Sequence, residues 1–401
     1  MKILMVCAEY PPMAGGIGRY TANLTENIRK LGFDVYVACD EKGDGNYTGI
    51  SPSNQENSSI LLKIDNDLKP DIIHVQFDVG LYGLRFDQKQ PKKVETYIDR
   101  FYNECKTPIV TTFHSGKSVY FGYVTLESLL KKEGRMGFAA MPVRLMLRLW
   151  RYSLNYLGVN NIYGDKLRKS HSGIVFSHFM SKKLCGGRCK VIYHGSEPAV
   201  GGPGSNKAEA RKKLSISEIK DNERIALAVG FTTDGKGWEL LEKINLPKEW
   251  KLVINSSKSH FNNESIKSNW KGAPNIIDLQ RGYLGEEELS TLFYASDAVI
   301  LPYKAASGSG VMFDALAHGL PFIATDLEFF KEFAAHGLGI TVKRNPSDFS
   351  KALGILAENY DKYQLAVNKF KENIKWSNIA KEHSNLYNYI VEKTSISEST
   401  A

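Results

Sequence analysis

Residues 305–326 read AASGSGVMFDALAHGLPFIATD. A turn of glycines and serines runs into a short apolar helix, a glycine ends that helix, and Pro321 opens a strand. This is a strand–turn–helix–strand grammar, the repeat unit of a parallel α/β sheet. Small residues leave the turn's amides uncovered, and the helix adds partial positive charge at its start. The turn over Ser307, Gly308, Ser309 and Gly310 is therefore a candidate phosphate cradle. Asp314 stands one turn inside the helix, where a carboxylate can reach a ribose hydroxyl beside that phosphate.

Outward from this stretch the same grammar continues. Lys2–Cys7, Asp34–Ala38, Asp71–Val75, Ile109–Phe113, Gly173–Phe176 and Lys190–Tyr193 read as a first set of strands. Arg224–Val229, Lys251–Ile254, Asn275–Asp278, Ala298–Leu301 and Phe322–Ala324 read as a second. Helices fall between them, from about Tyr20 to Leu31 and over 285–296 among others. The stretch 201–222 is polar and rich in glycine, serine and charge, as an interdomain linker would be. The last helical segment runs from Asn368 to about Val391, with a break at Trp376 and Ser377. A chain of 401 residues is too long for one ordinary core, so two domains are expected.

The net charge of +8, from 52 basic and 44 acidic residues, suits an anionic substrate or a membrane surface. The basic residues are scattered without zinc-finger spacing or a basic arm, which argues against nucleic acid. Five cysteines, an odd number, argue against a disulfide framework. Cys185 and Cys189 flank Gly-Gly-Arg without a second pair to complete a metal site, and read as incidental thiols in a turn. No histidine pair has ligand spacing on a helix, so no metal is expected. The opening MKILMVCAEYPP is too short and too soon polar for a signal peptide, and no run of about 18 apolar residues occurs. The expected location is cytoplasmic. Residues 143–157, VRLMLRLWRYSLNYL, have a basic amphipathic pattern that fits either a peripheral contact with the inner membrane face or an ordinary half-buried helix.

Four further positions carry candidate chemistry. Gly15 and Gly16 follow the first strand and precede a helix, where glycine allows close backbone approach to a ligand or simply a tight turn. Lys236, in VGFTTDGKGWELL, can neutralise a diphosphate as a point charge or face solvent in a glycine turn. His114 ends the strand PIVTTFH; it can donate to a sugar hydroxyl or be a buried structural histidine. His194, in YHGSEP, reads as a turn-stabilising residue.

In order and spacing these segments resemble, over nearly the whole chain, the family 4 type of GT-B glycosyltransferases (glycosyl transferases group 1). The matching pieces are MKILMVCAEYPPMAGGIGRY, PDIIHVQFD, IVTTFHSG, IYHGSEP, VGFTTDGKG, YLGEEELSTLFYASDAVILPY, DALAHGLPFIATD and KWSNIAKEHSNLYNYI. The resemblance implies an α/β fold of two Rossmann-like domains facing a cleft, with a C-terminal helix crossing back to the N-domain. The N-terminal acceptor domain would span 1–200 plus the helix at about 377–395, and the nucleotide-sugar-binding domain 201–376. Such enzymes transfer a sugar from a nucleotide-diphosphate donor to a glycan or lipid-linked acceptor with retention, without a metal or other cofactor. By that likeness His114 and Lys236 would be catalytic, with His114 on the donor sugar. Gly15, Gly16, Lys236 and the turn Ser307, Gly308, Ser309 and Gly310 would meet the donor diphosphate, and Asp314 the ribose.

Two departures stand out. The family's motif has two glutamates eight positions apart, and alignment on Asp314 puts Ala306 at the first. An arginine often accompanies the lysine, and Phe231 takes that place. They motivate a second reading, a nucleotide-sugar-binding subunit without transfer activity. A third, a sugar-nucleotide epimerase of GT-B fold, is disfavoured by the motifs of the C-terminal half.

Overall fold

The computed structural model describes residues 1–86, 93–116, 161–199, 207–214, 216, 219–220, 222–258 and 275–399. The amphipathic stretch 143–157 and part of the linker 201–222 lie outside the described residues. The chain divides into two compact units, Met1–Ile192 with Ala380–Ala401, and Tyr193–Ile379.

The first unit is built on a sheet of β1 (Lys2–Val6), β2 (Asp34–Ala38), β3 (Ile72–Phe77), β6 (Ile109–Phe113), β7 (Ser172–Val175) and β8 (Lys190–Val191), in the order β2-β1-β3-β6-β7-β8. All its pairings are parallel. The sequences explain this: KILMV, IIHVQF and IVTTF are continuous apolar or β-branched runs, and β3 and β6 are buried at every position. Strands covered on both faces need such runs, in contrast to the alternating pattern of a one-sided sheet. The helix Gly16–Lys30 begins directly at the glycine turn, four residues before the expected start, and the left-handed Gly32 (φ +87°) follows its end. A short antiparallel pair, β4 (Leu84–Phe86) and β5 (Val94–Thr96), lies between β3 and β6. Its strands are too short to show a period in the sequence.

The second unit repeats the plan. β9 (Arg224–Phe231), β10 (Trp250–Ser257), β11 (Ile276–Asp278), β12 (Ala298–Leu301), β13 (Phe322–Thr325) and β14 (Gly339–Val342) form a parallel sheet in the order β11-β10-β9-β12-β13-β14. β14 was not expected: it is short and only partly buried beyond Gly339, so its apolar signal is weak. The final helix, Trp376–Ser399, starts at the expected break and runs beyond Val391. From Ala380 onward it belongs to the first unit, where Tyr387 and Ile390 are buried.

One expectation is overturned. Cys185 and Cys189 are joined in a disulfide, while Cys7, Cys39 and Cys105 are free. The helix His178–Cys185 ends at Gly186 and Gly187, both left-handed (φ +60° and +86°). That reversal brings the two Cα atoms to 5.9 Å, within disulfide reach. Cysteine parity carries no information about such a local closure. Among the described residues no helix is long and apolar enough to cross a membrane.

Candidate functional site

In each unit the candidate residues gather at the carboxyl ends of the parallel strands, where α/β sheets place their ligands. The two groups are described separately.

In the second unit the helix Gly310–Ala317 follows β12 through the turn of 305–309. Ser309 is its N-cap, extended at φ −152°, and its hydroxyl accepts a hydrogen bond from the Met312 amide at 3.2 Å. The amides of 307–311 donate to no described residue. Ser307 and Ser309 are buried, so these donors sit in a sheltered turn at the positive end of the helix.

Lys236 stands beside that turn. It ends the short 3-10 helix Asp234–Lys236 after β9, and its Nζ donates to the Tyr303 hydroxyl at 2.6 Å. The ammonium also lies 3.9 Å from the Tyr303 ring centroid, a cation–π contact. The Tyr303 hydroxyl in turn lies 3.3 Å from Ser309 Oγ. Lys236 is thus two polar contacts from the helix cap. It faces no carboxylate among the described residues, whereas its neighbours are paired: Lys304 with Asp234 and Glu239, and Arg344 with Glu239. Arg344 fixes the lysine turn as well, since its Nε donates to the Pro302 carbonyl at 3.0 Å. Gly237, left-handed at φ +67°, lets the Pro302 carbonyl approach to where a Cβ would stand, 2.1 Å away.

Asp314 is buried in the first full turn of the helix, and its Oδ1 accepts from Ser196 Oγ at 2.5 Å. His194 lies close by. Its Nδ1 is 2.8 Å from the Gly195 carbonyl, its ring stacks on Phe313 (centroids 5.5 Å, planes 11° apart), and its Nε2 faces Gly310. The place expected for a second cation holds Phe231, stacked on Tyr283 at 6.0 Å and 9°. Ala306 brings no charge.

In the first unit His114 follows β6. Its Nε2 hydrogen-bonds Gln76 Oε1 at 2.8 Å, and its ring meets Tyr20 and Phe176 edge-on at 5.2 and 5.1 Å. Gln76 continues inward to His74, whose Nε2 lies 2.7 Å from Thr112 Oγ1 and whose Nδ1 lies 2.6 Å from the Tyr387 hydroxyl. Burial, with His383 and His114 nearby, holds His74 well below the usual histidine range. Two polar residues inside a buried strand must find partners, and here the C-terminal helix supplies one.

Gly15 and Gly16 surround a residue that the sequence reading passed over. The Glu9 side chain is buried, and its Oε1 accepts from the amides of Ile17 and Gly18, both at 2.9 Å. A Cβ on Gly15 would lie 1.7 Å from the Glu9 carboxyl carbon. Glycine at 15 is thus explained by a carboxylate of the same chain. Tyr303 and Ser196 were missed as well. All three reach the site through bonds that no local spacing announces.

Residues 234–359, which include Lys236, the turn and Asp314, match the family described as glycosyl transferases group 1. The match covers part of the second unit, and the two six-stranded parallel sheets have the GT-B architecture. Over 98% of its length the chain is 23% identical to an uncharacterized glycosyltransferase of Methanocaldococcus jannaschii, covering 99% of that protein. Sucrose-phosphate synthase from Thermosynechococcus elongatus has a similar fold (TM-score 0.66, 14% identity, 98% of this chain and 100% of that one). So does Anabaena HepE, solved with UDP (TM-score 0.59, 13% identity, 97% and 100%).

Proposed function

We propose that the protein is a retaining glycosyltransferase that moves a sugar from a nucleotide-diphosphate donor to a glycan or lipid-linked acceptor. One observation carries the reading. A sheltered turn of amides that donate to no described residue opens beside Lys236, a cation that likewise has no carboxylate partner among them. Uncompensated donors and charge converging on a helix N-terminus call for an anion of more than one charge. HepE, with the same fold, was solved with UDP.

In this reading the diphosphate lies on the turn of 307–310, with Lys236 on its flank, and Asp314 takes the ribose hydroxyls. The bond from the anomeric carbon to the diphosphate oxygen breaks as the acceptor oxygen bonds to the same face. The acceptor's proton passes to the leaving phosphate. Lys236 and the amides stabilise the charge that develops there, in place of a divalent metal. His114, braced by Gln76, hydrogen-bonds a sugar hydroxyl, and the first unit takes the acceptor.

Release of nucleotide from a panel of UDP-, GDP- and ADP-sugars, by hydrolysis or transfer, tests the reading. Turnover that disappears in Lys236→Ala is expected. Ala306 and the Phe231–Tyr283 stack favour one second reading, a donor-binding subunit without turnover. Calorimetric binding of the donor with no release for any acceptor would select it.

A further inference from the structure

Strand β3 buries two polar side chains, His74 and Gln76, near the middle of the first unit's sheet. Both belong to a chain of hydrogen bonds that joins Tyr387 of the C-terminal helix to His114. The chemistry of its members gives this chain a direction.

The fixed point is Met5, which pairs with His74 in the register of β1 and β3. A thioether sulfur has no hydrogen to give and accepts one weakly. Met5 Sδ lies 3.2 Å from Gln76 Nε2. An amide's orientation follows from its partners. Turned over, Gln76 would set its oxygen against the sulfur, two lone-pair atoms in contact inside a buried core. Its NH2 end therefore points to Met5 and its oxygen to His114. A carbonyl oxygen can only accept, so the hydrogen between Gln76 Oε1 and His114 Nε2, 2.8 Å apart, sits on the histidine.

His74 agrees with this orientation. Its Nε2 lies 3.3 Å from Gln76 Nε2 and 2.7 Å from Thr112 Oγ1. The amide nitrogen donates and the hydroxyl can donate, so His74 Nε2 accepts. Its ring hydrogen is then on Nδ1, which donates to the Tyr387 hydroxyl at 2.6 Å. The assignment needs a neutral ring, and burial with His383 and His114 nearby keeps His74 neutral.

We infer that Gln76 is a positioning residue that locks His114 in its Nε2–H form, with Nδ1 as the ring's acceptor. Neutral His114 then has no second hydrogen to donate. Whatever meets Nδ1 must itself donate, as a sugar hydroxyl can and a carbonyl or carboxylate cannot. That a sugar is the partner rests on the glycosyltransferase reading; the tautomer does not.

Two-bond proton–nitrogen correlation NMR of the full chain, with 15N-labelled histidine, reads the tautomer without any substrate. The His114 signals are those missing in His114→Asn. At about pH 8, where an ordinary histidine is neutral, His114 is expected to show a protonated Nε2 and an unprotonated Nδ1. Gln76→Glu, whose oxygens still accept, should keep Nε2 protonated. Gln76→Met, of similar length but without an accepting oxygen, should shift both nitrogens toward the values of a tautomer mixture. Thermal melting checks that each variant is folded, and the wild-type spectrum decides even where one is not. An Nδ1-protonated His114 in the wild type or in Gln76→Glu, or an unchanged spectrum in Gln76→Met, would overturn the inference. Nucleotide release from the donor panel reads the wider proposal separately. The expected tautomer with no turnover of any donor would remove the sugar and keep the lock. Turnover with an Nδ1-protonated His114 would do the reverse.

Discussion

Two glycine turns in this molecule follow a parallel strand and open a helix, and they are used in opposite ways. At 15–18 the amides of Ile17 and Gly18 are taken by Glu9, a carboxyl group of the same chain. At 307–310 the amides donate to no described residue, Ser309 caps the helix, and Lys236 stands alongside with no acid among the described residues. The first turn has two of its helix amides occupied by the chain itself, and in the proposed reading the second keeps its positive potential for the donor diphosphate. The lesson is that a glycine-rich helix start is an anion site only when the chain has not supplied the anion itself.

Four experiments would break or sharpen this contrast. The largest stability effect is expected from Gly18→Ala, whose Cβ would lie 2.7 Å from the Glu9 backbone oxygen. A collision with backbone cannot relax cheaply, and urea unfolding should show a loss of about 3 kcal/mol. Gly310→Ala is the counterpart: its nearest neighbour is His194 Nε2 at 3.4 Å, and its stability should change by less than about 1 kcal/mol. A large loss at Gly310 would erase the distinction between a filled turn and an open one.

The second effect falls on ligand binding. Lys236→Ala should weaken nucleotide-diphosphate affinity by about 2 kcal/mol, roughly 30-fold, read by calorimetry. Tyr303→Phe, which keeps the ring under the ammonium but drops the hydroxyl, should cost less.

The third concerns pH and the first turn alone. The folded-state value of Glu9, about 7, lies above its ordinary 4.5. Its contribution is therefore fully present below pH 4.5 and is lost as pH rises through 7, because the unfolded chain ionises first. Between pH 5 and 8 the wild type should lose on the order of 2 kcal/mol relative to Glu9→Gln, with Asp78 and the Cys7 thiol the neighbouring titratable groups. Parallel stability curves for the two proteins would show that burial does not dominate at Glu9.

The smallest effect is the helix cap. Ser309→Ala should cost about 1 kcal/mol of stability. It should also loosen the Tyr303 hydroxyl that holds Lys236, which a modest further drop in nucleotide affinity would report.

Much of the fold was legible because parallel strands buried on both faces must be written as apolar runs. Asp34–Ala38, Ile109–Phe113 and Ala298–Leu301 were read with the bounds the structure shows. β14 and the β4–β5 pair were not, since short or half-exposed strands carry little periodic signal. The Cys185–Cys189 bond escaped because it depends on two left-handed glycines and not on the number of cysteines.

The candidate site divides along the same line. Residues 307–310, Asp314 and Lys236 were visible because each sits at a fixed offset from a strand end or a glycine. By itself the sequence determined the two αβ series, the glycine turns and the acidic and basic residues next to them. Only the tertiary structure decided which turn is open. Glu9 reaches Gly18 across nine positions, Ser196 reaches Asp314 across 118, and Lys236 meets Tyr303 across 67. Hydrogen bonds act over about 3 Å whatever the separation along the chain, so their partners are fixed by packing and not by spacing.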